Sequence, residues 1–438
     1  MFLNFKINKL ISAVLVACLT IGIEKTEAES LKSLASSGIS KKLVNESKFI
    51  EECDNETSES ETLIDGMYDE LIWQDGIQYG LVNEDELATV YSCIEDAENV
   101  TIPATISHGG VVYTVDIIGY EAFKDCEKLK KVEIFAPLLQ INRGAFMNCS
   151  ALESIELPDT VKSMEEEVFV NCTSLKTIKL PKALADVSNE TFKNCVSLMS
   201  IDIPKEVSRI LYAAFFGCTS LTQVTISDGV KRIDEYAFSG CTALTQILIP
   251  DNVESIERCV FSGCINLNNV KLPSKLKSID SAIFKNCISL EKIEIPQTVE
   301  RICDKAFKNC ISLEKIEIPP TVTFIGNDAF NSCKSVTYIN LPDELETLQD
   351  SAFRHCINLE SIMIPRKVKN MGNEVFFGCD NLKTVMFENI DKLGKETIED
   401  SIFVGCNNLE KILVTEDADI TILDETYIPD GCKIEVVG

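Results

Sequence analysis

Cysteine is the residue type here numerous enough to carry chemistry. The chain holds 19 of them and only two histidines, His108 and His355. A thiol can do four things: ligate a metal, pair as a disulfide, act as a nucleophile, or pack as a small apolar group. Zinc sites want Cys-x₂-Cys pairs or added histidines, and neither stands here. A catalytic dyad wants a His partner, and two histidines in 438 residues leave little room for one. That leaves bridges or core, and the spacing separates the two. Cys126, Cys149, Cys172 and their successors to Cys379 recur every 23 residues, and Cys406 follows after 27. Residues at one repeated position share one orientation, so their Cβ vectors run parallel, whereas a bridge needs them to converge. Thirteen cysteines are therefore expected as a free, buried ladder. Of the others, Cys53 with Cys93 is the pair that could staple the N-terminal segments.

The positions around each cysteine repeat as well. A phenylalanine stands three residues before each one, from Phe123 through Phe376 and then Phe403. Leucine stands three residues after, with Val336 the single substitution. The 13-residue string FKNCISLEKIEIP occurs twice, starting at Phe284 and Phe307. The L-x-x-I-x-I stretch alternates with period two, which predicts a short strand with one buried face. A proline usually ends it, having no donor for the ladder. Twenty-three residues are too few for a strand, a full helix and a return path, so each unit is expected to be one coil of a solenoid. One coil cannot bury its own apolar face; its neighbours do so.

The phrase IEIPQTVERICDKAFKNCISL at 293–313 resembles the leucine-rich repeat of the bacterial surface-antigen, or BspA-like, class. The resemblance runs from about residue 99 to 414. It implies a parallel β stack of about 13 coils with terminal caps. It also implies a non-enzymatic, secreted or cell-surface protein that binds other proteins or mediates adhesion, with host extracellular matrix or another cell surface as partner. A structural or carbohydrate-binding envelope component is the second reading, though the outward rows hold a single aromatic, Tyr338.

Charge narrows the partners. Lys and Arg total 41 against 69 Asp and Glu, a net of −28, which argues against nucleic acid and anionic membrane surfaces. Residues 29–98 alone carry 18 acidic and 4 basic side chains. Residues 1–28 have the three-part shape of a signal peptide, with Lys6 and Lys9 ahead of the apolar run Leu10–Ile23. Acylation at Cys18 or an uncleaved anchor are alternatives, so any membrane attachment is expected at the N-terminus. Residues 29–65 read as an acidic disordered tether, 66–98 as an N-terminal β cap containing Trp73, 99–414 as the solenoid and 415–438 as a C-terminal cap. No phosphate loop, nucleophile elbow or metal box appears, so no catalytic, cofactor or metal residue is expected, nor a small-molecule substrate.

Recognition must then use the outward strand positions, eight and ten residues after each phenylalanine. Most are polar, as in Lys292, Glu294, Lys315 and Glu317. Leu248, Tyr338, Met363, Met386 and Leu413 are apolar, and four of those five fall in the last four coils. They are expected to form one patch for a protein partner, unless the C-terminal segment folds over Met386 and Leu413.

Overall fold

The computed structural model describes residues 68–389, 401–416 and 428–437. The signal-like segment, the tether, Cys18 and Cys53 lie outside them. The chain divides into two units, Met1–Glu70 and Leu71–Gly438, and nearly all described residues belong to the second.

That unit is a parallel β-solenoid of about 14 turns, with no helix among its described residues. Each coil contributes two short strands, such as Lys292–Glu294 and Arg301–Ile302. Most pair in parallel with the equivalent strand of the next coil, as Lys292 with Lys315 and Arg301 with Phe324. The strands thus line up in two columns, each divided into several sheets along the stack. The turn between coils carries a third column of backbone bonds, in which Phe123 N–H donates to the Ala145 carbonyl at 2.8 Å and Phe146 N–H to that of Val168 at 2.9 Å.

The interior is built of stacked rows. Thirteen phenylalanines, none more than 2% exposed, stack ring on ring from Phe123 to Phe403. Centroids lie 4.9 to 6.1 Å apart with planes within 16° of parallel. The spacing follows from the strand spacing of about 4.8 Å, which brings identical side chains within contact in every coil.

The residue two after each phenylalanine is usually Asn or Gly, and the backbone explains the choice. It takes a left-handed φ in every coil, from Asn148 (62°) and Asn171 (59°) to Gly240 (74°) and Gly263 (76°), a region Gly and Asn tolerate best. The asparagines bond one another rather than the turn backbone. Asn171 Nδ2 donates to Asn148 Oδ1 at 2.8 Å, and Asn194 Nδ2 to Asn171 Oδ1 at 3.0 Å.

At the N-terminal end, strands β1 (Glu70–Gln74), β2 (Ile77–Val82) and β3 (Leu87–Cys93) form an ordered run. Strand β4 (Asn99–Ile102) already pairs in parallel with Lys131–Ile134. Strands β5 (Thr105–His108) and β6 (Val111–Ile118) make a hairpin across Gly109 and Gly110, both at positive φ as a two-residue hairpin turn demands. Strand β6 lies parallel to β3 and leads into the second column. Ile77, Tyr79, Leu81, Ala88 and Val90 fill this end of the core. Trp73, expected to pack there, instead stands 56% exposed. It lies on β1, the outermost strand of the sheet, and no described strand pairs with its outer edge. At the other end, Lys433–Val437 adds one more parallel strand to Lys411–Thr415.

Candidate functional site

The outward face is fixed by the strands' alternation. In Lys292–Glu294 and Lys315–Glu317 the central isoleucines are buried while both flanking residues are exposed. Parallel pairing in register turns each outward position into a column. Lys292 therefore stands over Lys315, and Glu294 over Glu317. Like charges directly opposite one another cost rather than contribute stability.

The apolar outward residues divide into two groups. Met363, Met386 and Leu413 are in register on three successive strands, each half-buried between buried neighbours. Tyr338 stands in the adjoining column, bridged in parallel to Ser361, two residues before Met363, and is 60% exposed. These four residues thus meet as one patch on the last coils. Leu248, 58% exposed, lies apart from them, in register with Lys271 and beside an open groove lined by Thr222, Gln223, Thr225 and Gln246.

The strand Lys433–Val437 does not fold over the patch. It extends the sheet edge to edge, placing Glu435 beside Leu413 and Lys433 beside Lys411. Lys411 Nζ reaches Glu435 at 3.0 Å. The apolar strip therefore ends in a paired charge.

The cysteine row, by contrast with this face, is sealed in the core. Cys149 Sγ donates to the carbonyl of Phe123 at 3.1 Å, and the same bond, spanning 26 residues, recurs up the stack to Cys379. Cys406 makes it to Phe376. From Cys149 on, each sulfur is aimed at the backbone of the coil before it, not at the next sulfur. Burial pushes these thiols up, Cys264 and Cys406 to about 12. Such thiols are neutral and unreactive. Among the described residues, no group of three or more His, Cys, Asp or Glu is placed to hold a metal ion.

Residues 91–219, 185–314 and 300–433 match the profile of the BspA type leucine rich repeat region. The chain belongs to the BspA-type leucine-rich repeat family. A leucine-rich repeat protein from Bacteroides ovatus shares 28% identity at a TM-score of 0.68, over 85% of this chain and all of that one. A leucine rich cell surface protein from Faecalibacterium prausnitzii shares 26% at 0.53, over 79% of this chain and 94% of that one. No curated protein matches the chain. For this BspA-type chain, a non-catalytic solenoid with a role in binding other proteins accords with the family.

One residue pair escaped the sequence argument. Cys93, at the end of β3, brings its Sγ to 2.9 Å from that of Cys126. The signal for it was present: Cys126 is the first of its row, and no earlier phenylalanine carbonyl stands 26 residues before it.

Proposed function

We propose that this chain is a secreted or cell-surface protein that captures a protein partner on the strand face of its last coils. Tyr338, Met363, Met386 and Leu413 are the anchors. The observation that carries the reading is the in-register apolar strip on a face that is otherwise polar apart from Leu248. Tyr and Met are enriched at the cores of protein interfaces, and an aromatic with one polar end serves well as an anchor. The in-register Lys292–Lys315 and Glu294–Glu317 columns add single-sign rows that select a complementary partner. The cell-surface description of the Faecalibacterium relative supports the same location. Partners on host matrix or on another cell fit a long face that makes many contacts at once.

The test is a double substitution. Tyr338→Ser with Met363→Ser is expected to weaken binding to matrix and cell-surface proteins by at least about tenfold, since hot-spot anchors each contribute about 2 kcal/mol or more. Thermal stability should fall only modestly, because Tyr338 is mostly exposed and Met363 is half-buried rather than in the core. Leu248→Ser, on the separate patch, should leave binding intact. Unchanged affinity in the double variant, or equal loss in the Leu248 variant, would remove the patch from the account.

A further inference from the structure

Twelve of the thirteen row cysteines settle their thiols on the carbonyl of the preceding coil's phenylalanine. Cys126 belongs to the first coil, and what it meets instead is Cys93 of the cap. Their sulfurs lie 2.9 Å apart, closer than two sulfurs rest without a shared proton or a bond between them. Cys126 is buried, whereas Cys93 is partly open to solvent. The two elements they join are already docked. Strand β3 ends at Cys93 opposite Ile77, and the segment after it is pinned to the first coil by Lys130 N–H donating to the Glu98 carbonyl at 2.7 Å and by the Lys128–Asp96 ion pair.

We propose that Cys93 and Cys126 form a reversible disulfide that latches the N-terminal cap onto the first coil. The oxidant is a small disulfide carrier such as glutathione disulfide. The carrier's S–S bond breaks and the Cys93–Cys126 S–S bond forms; the two cysteines are oxidised. Their two electrons and two protons leave on the carrier, as two thiols. Thiolate is the attacking species in such exchange. The hydrogen bond shared by the two sulfurs splits them, holding the Cys126 thiol below its ordinary value and Cys93 above its own, so the pair offers one thiolate more readily than the row above it, where burial pushes Cys149 up. The latch matters because the cap covers an end that otherwise exposes core and strand edge. Closing it ties residues 33 apart and removes freedom from the detached cap.

The experiment uses the full chain, reduced, then held folded in glutathione disulfide, alkylated without reductant and digested for mass spectrometry. One cross-linked peptide pair, Cys93 to Cys126, is expected, with the buried row cysteines from Cys149 to Cys406 alkylated only after denaturation. Cys93→Ser and Cys126→Ser should each abolish the pair, while Cys149→Ser, a neighbour in the row, should keep it. Oxidation should also slow proteolysis within residues 94–98 by at least about tenfold, in line with the stabilisation a loop of this size gains from a bridge. That protection should vanish on reduction and in Cys93→Ser. Cys93 found linked to Cys53 or to another cysteine, or recovered free after oxidation of the folded chain, overturns the proposal. So does equal protease resistance in the oxidised and reduced chains.

Discussion

Raising the pH from 8 to 10 is expected to unfold the solenoid without denaturant. The cause is the row of twelve buried thiols from Cys149 to Cys406, all held above the ordinary value of 9.0 by burial. In the unfolded chain these thiols ionise near their ordinary value; in the fold they cannot. A folded value above the unfolded one means that the stability they confer is whole below about pH 9. It is lost as the pH climbs from there toward about 12, the value held by Cys264. Each pH unit in that window favours the unfolded chain by about 1.4 kcal/mol per thiol. Across twelve thiols, pH 10 withdraws on the order of 15 kcal/mol, as much as a whole domain usually possesses. Coils at the ends should go first, since each is held from one side only. The check is to follow strand circular dichroism and thiolate absorbance together through the titration. They should change in step, thiolate appearing only as strand is lost. Thiolate rising with a midpoint near 9 while the strand signal persists would mean that the row is open to solvent. Cys264→Ser offers a second handle. Its hydroxyl can keep a bond to the Phe238 carbonyl but does not titrate, so the variant should be the weaker protein at pH 7 and the stronger at pH 10.

Phe284→Ala should be the most damaging single substitution short of a proline in a strand. Phe284 is fully buried and touches a ring on either side, Phe261 at 5.7 Å and Phe307 at 5.6 Å. Truncation removes its transfer energy and leaves a void that neighbouring coils, pinned by hydrogen bonds, cannot close. Core Phe→Ala changes cost about 3–5 kcal/mol. In a solenoid the loss falls on two interfaces at once, so the stack should weaken in its middle. Urea unfolding should then separate into two transitions, one for the coils on each side. Phe135→Ser supplies the contrast: that ring is 66% exposed, and the change should stay within about 0.5 kcal/mol. A single, unshifted transition in Phe284→Ala would show that the rings are not what couples the coils.

The interior was legible because it is written thirteen times. Phe, Cys and Leu at fixed offsets identify the buried rows, and the alternation of L-x-x-I-x-I identifies the outward columns, so Tyr338 and Met363 could be placed before any coordinates. The left-handed backbone behind the Asn and Gly positions is a consequence of chain geometry that residue types only hint at. The ends were harder for a plain reason: they do not repeat. Nothing averages out the ambiguity at Trp73, which a sequence reader places inside because tryptophan is apolar, and which an edge strand leaves outside. Cys93 is likewise set beside Cys53, the other cysteine outside the row at this end, although Cys126 is nearer in sequence and has no phenylalanine 26 residues before it; the join of cap to first coil is what brings the two sulfurs together.

The 23-residue span of nearly every bond in the stack has one more consequence. Residues 285–307 could be excised in one piece: Phe284 would then lie between Phe261 and Phe330, and the sequence after it would still read KNCISLEKIEIP. Insertion of such a unit is equally silent to its neighbours. Slippage between the two identical stretches during copying therefore edits the protein in whole coils, each altering the reach of the outward face by about 4.8 Å. In such a molecule length is a trait that can drift and be selected while the fold stays the same.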